Sequence, residues 1–231
     1  MNYIICGIDR LGKGTLIQNI LNDQGYHTVL HYDKPKALTA YGLDLKRYQQ
    51  ESFEQGFEIL KSNDQVIMDR FHIGESVYCS YRGYIGDYIF DMEAKHIADL
   101  ENTVLVLLTT SDFSFIEDDG ESFDFDSKEE EQLKFIESFN RSGLNKIMID
   151  ICADGTYRPS TDIYTELQNN LRRTKMDNRE MMNKDLSTYW NTLNQMDEQD
   201  FKRTPCADLN WSSDSDETLQ EHVERMKLRA K

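Results

Sequence analysis

The sequence predicts a three-layer α/β domain with a five-stranded parallel sheet, followed by a mainly helical C-terminal extension. Five short runs of apolar residues alternate with longer polar stretches whose apolar residues recur at helical spacing. Strands that are apolar throughout are typical of a parallel sheet that helices cover on both faces. The five predicted strands are residues 2–6, 26–30, 65–69, 103–109 and 146–151.

Two stretches between the predicted strands show helical spacing clearly. Phe53, Phe57 and Leu60 recur at intervals of four and three residues, which predicts one apolar helix face. A second predicted face consists of Leu133, Ile136 and Phe139. A last helix, from about Thr161, is expected to end the domain near Arg172.

The chain is predicted to divide into a domain of residues 1–172 and an extension of residues 173–231. The extension contains both tryptophans, Trp190 and Trp211, and its polar cluster at residues 211–217 is typical of a helix start. Two or three helices packed on the domain and a partly ordered tail fit this sequence about equally well.

The composition indicates a globular chain that is not a membrane protein. With 39% hydrophobic residues it is too apolar for a disordered protein, and no stretch approaches the roughly 18 apolar residues of a membrane span. The N-terminus enters the first predicted strand without a basic region and a long apolar segment, so no secretory signal is expected. We therefore expect a cytoplasmic protein with no membrane partner.

Charge and cysteine usage exclude further classes. The net charge of −16 argues against duplex DNA, because binding to a phosphate backbone depends on clustered lysine and arginine. A small anionic ligand held by a few local donors remains compatible with this charge. The four cysteines include no CxxC pair, which predicts free thiols and argues against a zinc site or a disulfide framework.

The stretch GIDRLGKGT, residues 7–15, lies between the first predicted strand and a predicted helix that begins near Lys13. This context and the GxxxxGK pattern are typical of a phosphate-binding loop. Glycines let backbone N–H groups converge on a phosphate, the helix dipole favours an anion there, and Lys13 adds a cation. Gly14 stands where many such loops have a magnesium-binding hydroxyl, and Thr15 follows one residue later. The alternative is a glycine turn that only joins strand to helix.

The third predicted strand ends in VIMDRF, residues 66–71. Ligands of doubly wound sheets bind beyond the carboxyl ends of the strands, so Asp69 and Arg70 should emerge beside the glycine loop. Arg70 could hold phosphate oxygens, and Asp69 could organise magnesium-bound water or an acceptor hydroxyl. The alternative is a surface ion pair that closes the strand.

Three polar residues downstream could face the same ligand. Glu75, Tyr78 and Arg82 have spacings of three and four, so they share one face if residues 74–82 are helical. An acid, an aromatic ring and a cation would then point at a single ligand. A half-exposed helix with an ordinary salt bridge explains the pattern equally well.

Two of these motifs resemble a known family. GIDRLGKGT resembles the loop of thymidylate kinases, and DRFHIGESVY with the following YRGY resembles the DR motif region of their phage-encoded branch. The resemblance covers about the first 170 residues in element order. It implies a P-loop kinase fold and a nucleoside monophosphate kinase that uses ATP and Mg²⁺, in the host cytoplasm if the source is viral. It also implies a homodimer through helices on one side of the sheet.

The resemblance implies roles for the residues of both motifs. Lys13 would cradle the ATP phosphates, Arg10 would neutralise the transferred phosphoryl group, and Asp9 would approach the 3′ hydroxyl of the acceptor sugar. Arg70 would position the acceptor phosphate, with Asp69 near magnesium. The implied catalytic residues are Arg10, Lys13, Asp69 and Arg70. The implied ATP-binding residues are Gly7, Leu11, Gly12, Lys13, Gly14, Thr15 and Leu16. The implied magnesium ligands are Thr15 and Asp69.

The resemblance also implies that residues 33–57 cover the base of the acceptor. Phe53 or Tyr48 would stack on it, and Lys34 or Arg47 would add a phosphate contact. A buried aromatic face is the alternative for Phe53. The implied acceptor-binding residues are Asp9, Lys34, Arg47, Phe53, Arg70, Glu75, Tyr78 and Arg82.

An acidic segment, residues 112–131, follows the fourth predicted strand and contains ten acids against one base, Lys128. In the family that the motifs resemble, a lid lies at this place, and some members supply a catalytic arginine from it. Residues 109–139 contain no arginine, which agrees with Arg10 supplying the cation from the loop. The alternative is a solvated loop without a role.

Two other functions remain open at this stage. A P-loop kinase could act on a nucleoside or on a modified base within DNA, although the absence of a basic stripe argues against duplex DNA. A kinase-like binding protein could hold a partner through the acidic segment and the extension. Gly12, Lys13 and Thr15 argue against this last function, because a binding module needs no complete phosphate loop.

Overall fold

The computed structural model of this chain describes residues 1–32, 45–79, 83–114, 116, 127–153 and 155–173. The strands of the main sheet are β1 (Asn2–Cys6), β2 (Thr28–His31), β3 (Val66–Asp69), β4 (Thr103–Thr109) and β5 (Asn145–Asp150). The helices are α1 (Lys13–Gln24), α2 (Leu45–Ser62), α3 (Ile73–Tyr78), α4 (Tyr88–His96), α5 (Lys128–Arg141) and α6 (160–173). A short 3₁₀ helix, Ile97–Asp99, follows α4. A two-stranded antiparallel hairpin is formed by β6 (Cys152–Ala153) and β7 (Thr156–Tyr157).

The five strands form one parallel sheet in the order β2-β3-β1-β4-β5, which confirms the predicted sheet. Both β1 and β4 are buried along their whole length, as expected of the central strands of a covered sheet. Ile5 of β1 pairs in register with Asp69 of β3, so the carboxyl ends of these two strands lie side by side. The connections from β1 and from its neighbour run in opposite directions across the sheet. Doubly wound folds bind ligands at such a point, beyond the carboxyl ends of the strands.

The observed strand boundaries differ slightly from the predicted ones. We expected the second strand to begin at Tyr26, but Tyr26 is 82% exposed and β2 begins at Thr28. The N–H of Thr28 donates the first bond of this ladder, 2.9 Å from the carbonyl oxygen of Gln65. An aromatic residue at the start of an apolar stretch therefore does not show that strand pairing begins there.

The predicted face of α2 is confirmed, whereas that of α5 is partly wrong. Phe53, Phe57 and Leu60 are all buried. On α5, Leu133 is 54% exposed, and the buried face consists of Glu131, Gln132, Phe135, Ser138 and Phe139. The inward stripe of α5 includes polar residues, which an apolar count overlooks.

The predicted division at residue 172 stays a prediction, because residues 174–231 lie outside the described residues. The same holds for residues 117–126 of the acidic segment. In the part of the chain that the structure describes, no helix combines the length and the apolar character needed to cross a bilayer. The cysteines of this part, Cys6, Cys79 and Cys152, are buried thiols, in agreement with the prediction.

A buried ionic cluster holds the beginning of α3 against α4 and the loop before β5. The carboxylate of Glu93 accepts hydrogen bonds from His72 Nε2 at 2.6 Å, from the hydroxyl of Ser142 at 2.7 Å and from the N–H of Gly143 at 2.6 Å. Burial alone would raise the pKa of Glu93, but the hydrogen bond and charge of His72 and the donors of the loop outweigh burial and lower it. Because the folded pKa lies below the ordinary value of 4.5, this stabilisation is present above that value and is lost as the pH falls through the folded pKa.

Replacing Glu93 with glutamine should lower the free energy of unfolding by about 3 kcal/mol at pH 7, because an amide cannot accept from all three buried donors. Urea denaturation followed by circular dichroism measures this loss. The matched control is Asp91→Asn, an exposed acid on the same helix, which should change stability by less than about 0.5 kcal/mol. Equal effects of the two substitutions would contradict the buried role of Glu93.

Candidate active site

The glycine loop leaves β1 and enters α1 through residues of positive φ. Gly7 has a φ of 137°, and a Cβ there would lie 2.5 Å from the carbonyl oxygen of Leu108, so only glycine fits. Gly12 caps α1 in the left-handed region, at a φ of 77°. The first bond of α1 runs from the N–H of Leu16 to the carbonyl oxygen of Gly12, which leaves the preceding N–H groups without helical acceptors. The first turn contains no acid, so the positive end of the helix dipole favours an anion there.

The side chain of Lys13 lies inside this loop. Its side chain is only 7% exposed, and Nζ donates to the carbonyl oxygens of Gly7 at 3.0 Å and Ile8 at 2.7 Å. Nζ also lies 3.4 Å from Oδ1 of Asp9. Burial lowers the pKa of Lys13, while the charge of Asp9 opposes this shift. The loop therefore holds a desolvated cation at the amino end of α1.

Arg70 lies beside the loop, as the sequence predicts. Its backbone N–H donates to the carbonyl oxygen of Ile5 at 2.8 Å, which fixes the turn after β3 to β1. Its Nη2 lies 2.5 Å from Oδ1 of Asp9, and both side chains are partly exposed. The structure thus brings together Asp9, Lys13 and Arg70, with one carboxylate between two cations.

Asp69 lies at the carboxyl end of β3. One of its carboxylate oxygens accepts a hydrogen bond, and the other has no partner among the described residues. Oδ2 accepts from Nδ1 of His31 at 2.7 Å. Oδ1 is buried and has no hydrogen-bond partner among the described residues. His31 was not among the predicted site residues, although it ends β2 and ligands of doubly wound sheets bind beyond the carboxyl ends of the strands.

The remaining predicted loop residues differ in exposure. Arg10 stands at the exposed tip of the loop, with a φ of 66°, an uncommon value for a residue with a side chain. Gly14 and Thr15 are exposed in the first turn of α1, whereas Leu11 and Leu16 are buried beneath the loop. Leu11 and Leu16 could therefore contact a nucleotide only through backbone groups.

Glu75 lies on α3, buried in a network of protein donors. Its Oε1 accepts from the hydroxyls of Tyr84 and Tyr88, the latter at 2.8 Å, and its Oε2 accepts from Nε2 of Gln49 at 3.2 Å. The network joins α2, α3 and α4. The described contacts of Glu75 are thus with protein donors, and its role in binding a substrate stays a prediction.

Tyr78, at the end of α3, donates its hydroxyl proton to Oε1 of Glu131 on α5. The second oxygen of Glu131 accepts from Nζ of Lys128 at 3.2 Å. Glu131 and Lys128 belong to the acidic segment, where the family resemblance implies a lid. Neither residue was predicted to have a role, although Glu131 lies four residues before Phe135 and therefore on the same inward face of α5.

The residues predicted to cover the acceptor base are not all brought to the site. Phe53 is 4% exposed and stacks on Tyr32 with ring centroids 5.9 Å apart, so it belongs to a buried aromatic face, the alternative interpretation. Arg47 is exposed on α2 and pairs with Glu51 at 2.9 Å. Tyr48 is half-exposed on the same helix. Lys34 and Arg82 lie outside the described residues.

A parallel sheet whose central strand leads through a glycine loop into a helix defines a P-loop kinase fold, as the sequence predicts. No protein-family model matches this chain, and no curated protein matches it. Among solved structures, the chain is similar to the YorR protein of Bacillus subtilis in complex with phosphorylated GDP. That match has a TM-score of 0.53 at 14% identity and covers 76% of this chain and 98% of that chain.

Two further structures match at lower TM-scores. The thymidylate kinase of Ehrlichia chaffeensis gives a TM-score of 0.47 at 18% identity, covering 74% of this chain and 98% of that one. The deoxyadenosine kinase of M. mycoides with bound dATP gives 0.43 at 19% identity, covering 74% of this chain and all of that one. At 14% identity the match to the YorR protein concerns the fold alone, and the sheet of this chain agrees with it.

Proposed function

We propose that this protein is a deoxynucleoside monophosphate kinase of the thymidylate kinase type, which transfers the γ-phosphoryl group of ATP to a pyrimidine deoxynucleotide or a modified form of one. One observation carries the proposal: the Lys13 loop and the Arg70 side chain meet at the carboxylate of Asp9. A cradle for a donor phosphate thus lies directly beside a cation suited to an acceptor phosphate. The fold that this chain shares with a nucleotide-bound protein supports the same class.

The donor side follows from the loop. The N–H groups at the start of α1, the dipole of that helix and Lys13 together suit the β and γ phosphates of ATP. Arg10 lies at the exposed tip of the same loop. In our proposal it neutralises charge that develops during transfer.

The proposed acceptor site is based on the turn after β3, Asp69–Arg70, which we call the DR turn. Arg70 has a planar guanidinium that can hold two oxygens of the acceptor monophosphate. In the transfer step an oxygen of that monophosphate attacks the γ phosphorus while the bond from this phosphorus to the β–γ bridging oxygen breaks. The products are ADP and the deoxynucleoside diphosphate. The protein contributes positioning and charge neutralisation, which dominate catalysis of phosphoryl transfer.

The residues at the carboxyl ends of the strands also include oxygen ligands for the Mg²⁺ that such a kinase uses with ATP. Among the described residues there is no cluster of three or more His, Cys, Asp or Glu side chains that could hold a metal by themselves. Mg²⁺ needs no such cluster, because one or two protein oxygens, substrate phosphates and water complete its shell. The buried, unpaired Oδ1 of Asp69 and the exposed hydroxyl of Thr15 are the oxygens that would contribute. When bound, Mg²⁺ would neutralise charge on the phosphates.

A panel of acceptors tests the proposal. Purified protein with ATP and Mg²⁺ should phosphorylate at least one of dTMP, dUMP, dCMP, dAMP, dGMP or a base-modified pyrimidine deoxynucleotide. Chromatography of the products identifies the deoxynucleoside diphosphate, and a coupled assay measures ADP. Deoxynucleosides and oligonucleotides complete the panel, because transfer to them alone would favour the other kinase functions. A preparation that binds ATP but phosphorylates no monophosphate would overturn the proposal.

A further inference from the structure

His31 and Asp69 lie side by side at the carboxyl ends of two neighbouring strands. β2 and β3 pair in parallel register, and the last pair of this ladder is His31 with Asp69. Residues that pair in register place their side chains on the same face of the sheet. Nδ1 of His31 lies 2.7 Å from Oδ2 of Asp69, and because an ionised carboxylate can only accept, the N–H of Nδ1 donates. The register of the sheet therefore brings the two side chains together.

On its other side, Asp69 borders the strand that leads into the glycine loop. Ile5 of β1 is the in-register partner of Asp69. The next residue, Arg70, donates its N–H to the carbonyl oxygen of Ile5 at 2.8 Å and reaches Asp9 of the loop with its guanidinium. Because β3 lies between β2 and β1, Asp69 stands between His31 and the strand that carries the loop.

The two carboxylate oxygens of Asp69 have unlike surroundings. Oδ2 accepts from His31, whereas Oδ1 is buried and has no hydrogen-bond partner among the described residues. A buried, unpaired oxygen is unfavourable, and in native structures such groups often have a catalytic or ion-binding role. The Asp69 side chain is 18% exposed, so another rotamer could turn its carboxylate towards water. The hydrogen bond from His31 favours the orientation in which Oδ1 stays without a donor.

We propose that His31 is a positioning residue: it holds the Asp69 carboxylate through Oδ2, so that Oδ1 keeps its lone pairs for the Mg²⁺ that accompanies ATP. Carboxylates that bind metals are commonly oriented by a hydrogen bond to their second oxygen, and losing such a bond typically costs about 10- to 100-fold in metal affinity. The inference deepens the proposed kinase function and rests on its use of ATP with Mg²⁺.

A hydrogen bond that only closes the two strands explains the pair less well. The backbone already extends the pairing past the ladder, because the N–H of Tyr32 donates to the carbonyl oxygen of Asp69 at 3.0 Å. A partly exposed side-chain pair adds little to such pairing. It also leaves the cost of the unpaired Oδ1 without a reason, whereas a role in binding a cation accounts for that cost.

Binding of ATP with and without Mg²⁺ tests the inference and requires no turnover. Calorimetric titration with ATP, once in excess Mg²⁺ and once in EDTA, gives two values of Kd, and their ratio is the Mg²⁺ effect. His31→Phe keeps a ring but lacks the donor, so it should lower the Mg²⁺ effect about tenfold. The Kd in EDTA should stay within about twofold. An equal Mg²⁺ effect in wild type and His31→Phe would overturn the inference, as would a wild-type protein that binds ATP no better with Mg²⁺.

Two further variants separate the Nδ1 contact from a general disturbance of β2. Asparagine has an amide N–H at about the position of Nδ1, so His31→Asn should restore most of the Mg²⁺ effect. Val29 is the matched control, because it lies two residues earlier on the same face of β2 and is 41% exposed, against 45% for the side chain of His31. Val29→Ala should leave the Mg²⁺ effect unchanged. A loss in His31→Asn or Val29→Ala as large as that in His31→Phe would contradict the positioning role.

A double-mutant cycle tests whether His31 acts through Asp69. Asp69→Ala should lower the Mg²⁺ effect at least as much as His31→Phe does, because it removes the oxygen ligand itself. The double variant should be no worse than Asp69→Ala alone, since His31 then has no carboxylate to orient. Additive losses would show that His31 acts by another route and would overturn the inference.

The panel of acceptors tests the proposed function separately. If the wild-type protein phosphorylates no acceptor, the kinase proposal fails, and the Mg²⁺ effect on ATP binding still decides the role of His31. Where transfer occurs, His31→Phe should raise the Mg²⁺ concentration for half-maximal rate about tenfold and leave the KM for the acceptor within about twofold. An active His31→Phe enzyme with an unchanged Mg²⁺ requirement would overturn the inference and leave the kinase function standing.

Discussion

Replacing Arg10 with glutamate should abolish phosphoryl transfer, with kcat lowered by about 10³-fold or more, while ATP binding remains measurable. Residues 109–139 contain no arginine, so the segment after β4 cannot replace the lost guanidinium. The reversed charge also repels the transferred phosphoryl group at the point where negative charge develops. Coupled ADP assays give kcat, and titration with a fluorescent ATP analogue gives the affinity for the donor.

The backbone conformation of Arg10 calls for its own control. Its φ of 66° is matched by Gln65, which has a φ of 68° and stands exposed before β3, away from the loop. Gln65→Glu should leave kcat unchanged, which separates the cost of a new side chain at positive φ from the loss of a cation. Arg10→Lys should retain part of the activity, because the charge is kept but the planar fork is lost. Turnover by Arg10→Glu at the wild-type rate would show that another group supplies the cation.

The sheet was predictable because its signal is local. Buried parallel strands are apolar at every position, so the runs that become β1 and β4 stand out from the polar stretches around them. The outer strands were predicted less accurately, since at a sheet edge the exposed faces of β2 and β5 mix polar and apolar residues. Tyr26 and Leu133 misled the prediction because apolar residues also occur on protein surfaces, and single exposed ones are common.

The site was predictable only where its residues follow the strand ends. The loop after β1 and the DR turn after β3 are contiguous motifs, and the parallel register brings them together without further information. The Glu131–Tyr78 contact joins residues 53 positions apart, and the Gln49–Glu75 contact joins residues 26 apart. Contacts of this kind depend on how helices pack. A single sequence does not encode helix packing in any short pattern, which is why these two contacts had to be found in the structure.

Replacing Lys13 with methionine should lower kcat by about 10²- to 10³-fold and weaken ATP binding about tenfold. Nζ is the buried cation of the loop, and in the proposed kinase it faces the β and γ phosphates of ATP. The same assays as for Arg10 measure both effects. Lys134→Met is the matched control, because Lys134 is a half-exposed surface lysine of α5 and its loss should change neither value.

The stability of Lys13→Met gives the sharper test of how the loop works. Burial lowers the pKa of Lys13, so the fold holds this charge at a cost that a bound triphosphate would offset. Methionine removes that cost but leaves the carbonyl oxygens of Gly7 and Ile8 without their donor. We therefore expect the two effects to cancel to within about 1 kcal/mol in urea denaturation, alongside the large loss of transfer. A variant that unfolds much more easily would show that Lys13 chiefly supports the fold. A variant that retains full transfer would show that the loop does not act through this lysine.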